Sequence, residues 1–388
     1  MKQKVFWANK GYRRHKPLKE NISCDYLIIG GGITGVMIAY FLQEAGKKDI
    51  VLIEKDLIGS GATGKAAGIY CPVPEQWYME HYLRYLGMSN SAKYWVAHLA
   101  AFHIMKHLIE KKKIDCDYEY APIFCLESPH AAIHEVFKEY KFYSWLHMKI
   151  KLLTKKELDH EVHASLFSKG FKLWSSMSVN PLKLVQNIAA MLGKNGLRIY
   201  EKSQFIEQKG NIVKTPKGNI MFRKAVVYAT DSWTPKIRPV ETTIAVTRPL
   251  PEKLIKKLNP EEKMMFWDVK KKSYHYGKFT KDHRILVGFG DKIMKKPYES
   301  KNPEKSHLTE IRKFIRRLMP NDKIPIEYAW SGIYGNNEGL LPFLKIGKEK
   351  AVIAGAASQI TAVMLAKYAA AKLLRKKNTL DTIFLDKN

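Results

Sequence analysis

Apolar positions first form an ordered pattern between Asp25 and Gly68. Tyr26-Leu27-Ile28-Ile29 is a short apolar run that stops at Gly30-Gly31-Gly32, which predicts a buried strand running into a turn. The apolar stretch Val36–Ala45 stops at Gly46, the residue that favours a helix C-terminus. A second run, Ile50-Val51-Leu52-Ile53, ends on Glu54. Strand, glycine turn, helix, strand and acid make one βαβ unit. Downstream, Tyr94, Ala97, Ala101, Ile104 and Leu108 share one face of a helix over Asn90–Lys113. Asn180 and Pro181 are an N-cap and a first helical residue for Pro181–Leu192. Strands are predicted at Ile212–Thr215, Ile220–Phe222, Ala225–Tyr228, Ile285–Gly288 and Val352–Ala354, with Lys217-Gly218-Asn219 as a turn. A small-residue helix follows Gly355. Interleaved short strands and helices place the chain in the α/β class.

Composition narrows the functional classes. At 388 residues with 46% hydrophobic residues, the chain can bury a sizeable core and is far from a disordered composition. The stretch Ala351–Leu374 is interrupted by Gln359, Lys367 and Lys372, so no membrane span is expected. The basic N-terminus is not followed by an apolar stretch before Asn21, which argues against a secretory signal. Cys24, Cys71, Cys116 and Cys125 are scattered, without metal-ligand spacing; reduced thiols, a cytoplasmic location and no metal are expected. The net charge of +29 suggests an anionic partner. Its source is overwhelmingly lysine, with about a dozen arginines, and it is spread along the chain. Nucleic acid, whose phosphates and bases favour arginine forks, is therefore not the favoured partner.

Gly30-x-Gly32-x-x-Gly35, set between strand and helix, carries the strongest chemistry. Gly30 permits a tight turn, Gly32 lets backbone approach a pyrophosphate, and Gly35 lets helix pack on strand. The N–H groups around Gly31, Gly32, Ile33 and Thr34 would face the anion. Glu54, 24 residues past Gly30 and followed by Lys55, is placed to accept ribose hydroxyls. A second small-residue loop, Gly59-Ser60-Gly61-Ala62-Thr63-Gly64-Lys65-Ala66-Ala67-Gly68, then Ile69, is not needed for NAD. It suits a flavin, whose ribityl chain and ring ask for close backbone and a hydroxyl such as that of Thr63.

With these residues the chain resembles the D-amino-acid oxidase superfamily of FAD-dependent oxidoreductases, of the glycine oxidase and γ-glutamylputrescine oxidase kind. The family's second motif runs G-A-S-G-R-x-x-G. The resemblance continues through Val179-Asn180-Pro181 and through Val226–Trp233, similar to an A-T-G-A-W strand end with Asp231 in place of glycine. It extends to Arg284–Gly288 and to Tyr328-Ala329-Trp330-Ser331-Gly332 with Leu341-Pro342 and Ile346-Gly347. It implies non-covalent FAD held by the residues above and by Ile206, Ala229, Thr230, Trp233, Gly332, Gly355, Gln359, Ile360 and Thr361. It also implies a discontinuous layout. A Rossmann-type FAD domain would come from residues 20–90, 165–235 and 335–388. An α+β substrate domain of mixed antiparallel sheet and helices would come from 91–164 and 236–334, with 1–19 a basic arm.

Three departures shape the expected activity. Lys65 stands where the family has arginine, keeping charge and losing the fork. Gly355-Ala356-Ala357-Ser358-Gln359-Ile360-Thr361 is poorer in glycine than the family's turn, whose helix N-terminus stabilises charge on the reduced ring. Ile333-Tyr334-Gly335 offers no arginine to clamp a substrate carboxylate. The resemblance thus implies oxidation of a C–N bond in a small amine or amino-acid-like substrate. Hydride passes to flavin N5, the imine hydrolyses, and O2 or another acceptor reoxidises the flavin. His275, Tyr276, Lys278 and Tyr334 are pocket candidates, and Trp77, Tyr78, His81 and Tyr82 a candidate aromatic lid; core packing is the alternative for the aromatics. Two other readings stay open: a tRNA wobble-uridine-modifying flavoenzyme, and a diverged flavin fold kept as a non-catalytic binding module. The basic arm, carrying Phe6 and Trp7, belongs either on the fold or on an acidic membrane surface as a peripheral contact.

Overall fold

A computed structural model describes residues 1–74, 79–127, 135–162, 166–258, 264–269, 274–297, 302–319 and 323–384. Trp77 and Tyr78 lie outside them. The predicted βαβ unit is present as strand Ile22–Ile29, helix Ile33–Glu44 and strand Ile50–Ile53. The first strand is central. Gly218–Tyr228 and Ile50–Ile53 flank it in parallel, and Arg198–Tyr200 and Lys350–Ala354 extend the parallel sheet on either side. Its first and second strands are nearly continuous apolar runs because helices cover one face and a second apolar cluster the other. Helices Ile33–Glu44, Pro181–Lys194 and Gln359–Leu373 share the larger of these cores.

The second sheet runs 326–336, 238–247, 285–293, 275–279, 265–269, 123–127, 169–173, 150–153, antiparallel except between 265–269 and 123–127. On its outer face lies helix Lys305–Leu318, which buries Leu308, Ile311, Phe314, Ile315 and Leu318. Five such side chains contribute about 10 kcal/mol of gross apolar burial. On its inner face Ile244, Val246, Leu286 and Trp330 pack with Trp7 and Ala67, so the second glycine loop is clamped between the two sheets.

Several boundaries differ from the sequence pattern. Ile220–Phe222 and Ala225–Tyr228 are one strand, Gly218–Tyr228. The charged pair Arg223-Lys224 reads as a break, yet it bulges opposite Asp25, and both side chains bind that carboxylate. The hairpin turn is Pro216-Lys217, not Lys217–Asn219. Gly218 already pairs with Thr215, and a Cβ on it would lie 2.2 Å from the Glu20 carbonyl oxygen. The helix over Asn90–Lys113 begins earlier, at Met79, and ends at Lys111, with a break at Gly87, φ 74°. The small-residue helix starts at Gln359, four residues past Gly355.

The basic arm lies on the fold. The buried Glu201 carboxylate accepts from the Tyr12 hydroxyl (2.7 Å) and the His15 N–H (2.7 Å), Leu18 is buried, and Trp7 is 8% exposed. Among the described residues no helix is long and apolar enough to cross a membrane.

Candidate functional site

The two sheets enclose a cavity of about 1640 Å³. That exceeds the roughly 300–1,000 Å³ of a pocket for one drug-sized ligand, leaving room for a cofactor and a substrate. At one end stands the first glycine motif. Gly30 has φ 115°, and a Cβ there would lie 2.3 Å from the Ala229 carbonyl oxygen; a Cβ on Gly35 would lie 2.0 Å from that of Gly30. Both glycines are demanded by the protein's own backbone. Gly32 is different: it is the helix N-cap, takes no left-handed φ, and its Cβ would touch only Thr63 Oγ1, at 3.2 Å. It opens on the cavity, as does Gly61, whose Cβ would meet nothing. Glycine at these two places serves a ligand that comes close to backbone, so the cradle fits a dinucleotide pyrophosphate.

Glu54 lines the cavity with its carboxylate accepting from the N–H groups of Gly31 (2.7 Å) and Asp56 (2.8 Å). Burial raises its pKa, and those two bonds oppose the rise. Each oxygen keeps a further lone pair for a ribose hydroxyl. Thr63 Oγ1 accepts from the Ile33 N–H at 3.0 Å, tying the second loop to the first helix.

The second loop is held from behind by three donors. Trp330 Nε1 donates to the Lys65 carbonyl (2.8 Å), Trp7 Nε1 to that of Ala66 (2.8 Å), and Lys278 Nζ to that of Gly68 (2.9 Å). Trp330 belongs to the W-x-G motif, whereas nothing in local pattern marks Trp7. Lys278 also donates to the Val179 carbonyl and to Ser178 Oγ; burial pushes its pKa down to about 7. It sits behind the loop and outside the cavity lining.

At the far side of the first sheet, Gln359 accepts from the Tyr70 hydroxyl and donates to the Thr63 carbonyl at 3.3 Å. Ser358 caps helix Gln359–Leu373 by accepting from the Thr361 N–H at 3.1 Å. Asp231, at φ 44°, accepts from the N–H groups of Gly335 (2.9 Å) and Gly355 (3.3 Å), so it brackets the turn onto the neighbouring strand. Burial raises its pKa against those hydrogen bonds. Ala357 adopts φ 55°. A left-handed residue with a Cβ is strained by roughly 1–2 kcal/mol. Ala357→Gly is expected to raise unfolding free energy by about 1 kcal/mol in urea titration, the relief of strain outweighing the added unfolded-state entropy.

His98, fully buried, tethers the same helix. Nδ1 lies 2.7 Å from the Tyr94 carbonyl oxygen and Nε2 3.0 Å from Thr361 Oγ1. The carbonyl requires a proton on Nδ1, so Nε2 accepts from Thr361, the neutral tautomer. Burial holds its pKa down, at about 4. The unfolded chain binds this proton near pH 6.5. Stability from this site is therefore full above about pH 6.5 and is lost as pH falls toward 4, up to about 3 kcal/mol. In wild type against His98→Gln, urea midpoints at pH 7.5 and 4.5 are expected to differ less for the variant.

At the second-sheet end the lining includes Thr242, Ile244, Phe266, Tyr276, Asp291, His307 and Tyr334. Thr242 Oγ1 lies 3.3 Å from the Tyr276 hydroxyl, and Tyr334 hydrogen-bonds the Asp291 carboxylate. His275 faces away. Its ring stacks between Phe289 and Phe314 at 4.6 and 4.2 Å, and Nδ1 lies 3.0 Å from Asp268 Oδ2. Of the proposed lid, His81 lines the cavity and Tyr82 is buried against Tyr94. The cavity wall gathers Gly30, Gly32, Ile33, Thr34, Glu54, Lys55, Gly61–Thr63, Lys65–Ile69, Ala229, Thr230, Trp233, Gly332 and Gln359. Gly31, Gly35, Ile206, Gly355, Ile360 and Thr361 stand outside it, Ile206 on the surface. Asp291, Thr242, His307 and the three-donor clamp were not singled out from sequence.

The chain as a whole is similar to known proteins. The sequence profile of the family described as FAD dependent oxidoreductase matches residues 25–372. The chain is 27% identical over 347 residues to gamma-glutamylputrescine oxidoreductase of Escherichia coli (strain K12), covering 84% of this chain and 76% of that protein. Glycine oxidase from Geobacillus kaustophilus shares the fold with a TM-score of 0.74 at 19% identity, over 92% of this chain and 96% of the other. L-proline dehydrogenase from P. horikoshii shares it with a TM-score of 0.76 at 20% identity, over 94% and 96%.

Proposed function

The chain belongs to the FAD-dependent oxidoreductase family, and from that premise we propose that it oxidises a C–N bond in a small amine or amino-acid-like substrate. The observation that carries the reading is the single cavity running from a ligand-serving glycine turn to a chamber of hydroxyls, aromatics and carboxylates. The E. coli relative is named for an amine substrate, which supports the same class. Bound, non-covalent FAD supplies a two-electron acceptor that takes hydride from the carbon bearing a neutral amine.

The chain's own residues supply position and environment. Gly32, Ile33, Glu54, Thr63, Ala229, Thr230 and Gln359 would hold the cofactor. The three-donor clamp fixes the Lys65–Gly68 backbone, so that loop needs no ordering when ligand arrives. Tyr276, Tyr334 and Thr242 orient polar parts of the substrate, while Ile244 on the inner face keeps water from the reacting carbon. In this reading the first sheet is the FAD side and the second the substrate side.

A product balance tests the reaction type. One carbonyl compound and one released amine or ammonia are expected per substrate consumed, with the carbonyl oxygen taken from isotope-labelled water. A product desaturated between two carbons, with its C–N bond still single, would overturn the C–N reading.

A further inference from the structure

Strand Ile285–Ile293 changes register as it crosses the cavity. Thr243 pairs with Phe289, but Thr242 pairs with Asp291, so Gly290 is an extra residue in the ladder. Gly290 takes φ 78°, and a Cβ on it would lie 2.5 Å from the His307 ring, so only glycine fits there. The bulge reverses the alternation of the strand. Leu286 faces the cavity side with Ile244, while Val287 and Phe289 face the outer helix. Without the extra residue Asp291 would face outward with them. Paired with Thr242, it shares Thr242's face and lines the cavity, where Tyr334 hydrogen-bonds it. Bulges beside sites serve to re-aim a side chain in this way.

Charge is divided along the cavity. Lys55, Lys345 and Lys350 line it from first-sheet strands and their ends, Lys65 from the second glycine loop, and Lys236 from the link that leads to strand 238–247. Among the described lining residues, the second-sheet strands add no lysine or arginine. Asp291 is exposed, its side chain open to the cavity, and partial desolvation by the surrounding walls pushes its pKa up to about 6. A carboxylate open to the cavity and oriented by a tyrosine hydroxyl is a receptor for a cation.

We propose that the Gly290 bulge presents Asp291 as the anchor for a second, non-reacting cationic group of the substrate, making the preferred substrate a diamine or longer polyamine-type molecule. The inference rests on the amine-oxidising reading and names its substrate class. The anchored ammonium stays charged on Asp291 while the other nitrogen, neutral, is oxidised.

The test compares α,ω-diamines with n-alkylamines of equal chain length on the FAD-loaded protein. Wild type is expected to favour the diamine roughly 10- to 100-fold in kcat/KM, carried mainly by KM, the size of one charge-assisted hydrogen bond. Asp291→Asn is expected to reduce that preference to within a few-fold, and Asp291→Glu to restore part of it; retained flavin absorbance reports folding in each. Equal kcat/KM for matched pairs in wild type, or a preference that survives Asp291→Asn, overturns the anchor while leaving the amine reading standing. Should Asp291→Asn lose its flavin, the wild-type pairs and Asp291→Glu decide the matter. Failure of every amine in both series to reduce the flavin removes the amine reading and the anchor with it.

Discussion

Gly32→Val is expected to leave the protein folded and unable to hold FAD. The added Cβ meets only Thr63 Oγ1, at 3.2 Å, and no left-handed φ is required of the backbone. The valine methyls therefore enter the cavity where a pyrophosphate must touch the helix N-terminus. Closing off that approach forfeits the contacts with free N–H groups and costs at least about 3 kcal/mol, a loss of more than 100-fold in affinity. Gly30→Val and Gly35→Ala are the contrasting controls. Each drives a Cβ to within 2.3 Å of a backbone oxygen, so both should lower stability itself. The measurement pairs flavin content after saturation and dialysis with a urea midpoint. Normal flavin content in Gly32→Val would mean that the phosphates do not approach this glycine.

Asp231→Ala is expected to cost about 4 kcal/mol of stability and to weaken FAD binding with it. The carboxylate accepts from Gly335 and Gly355, and also from its neighbour Ser232. Removing it strands those N–H groups and releases the turn before helix Gln359–Leu373; leaving the partners of an enclosed charge unsatisfied carries this order of penalty. Asp231→Gly separates the two causes. Glycine accepts φ 44° without strain, so it should recover the conformational part of the loss and none of the bracket. Denaturant titration of both variants, with FAD affinity measured on each, checks the expectation. Wild-type stability in Asp231→Gly would show that the bracket contributes nothing.

How far the molecule could be read beforehand depended on whether its information was local. The βαβ unit was legible because strand, turn and helix signals fall within some thirty residues, and Ile50–Ile53 matches its predicted bounds. Asn180 as a cap and Pro181 as a first helical residue were legible for the same reason. The stripe Leu308, Ile311, Ile315 and Leu318 carries a helical period, yet no element was assigned there. Arg223-Lys224 misled because its charges are neutralised by Asp25, nearly 200 residues earlier in the chain. The site divides along the same line. Gly30, Gly32, Glu54 and Thr63 announce themselves by spacing. Trp7 and His98 act through partners separated from them by other elements, and no local pattern marks them; Asp231 stands out in sequence only as a departure from a motif, and its bracket depends on residues more than 100 positions away. Asp291 is a subtler case: Gly288-Phe289-Gly290-Asp291 reads as strand end, and only the pairing with Thr242 turns the carboxylate inward.

The claim on which the rest depends is that this cavity holds FAD against an amine to be oxidised. Anaerobic titration of the FAD-loaded protein with a panel of amines, diamines and amino acids bears on it most directly, followed by flavin absorbance. The expected result is bleaching by amines, earliest in the series by diamines, and recovery of colour when an acceptor is admitted. A flavin that dithionite reduces but that no amine or amino acid bleaches would contradict it.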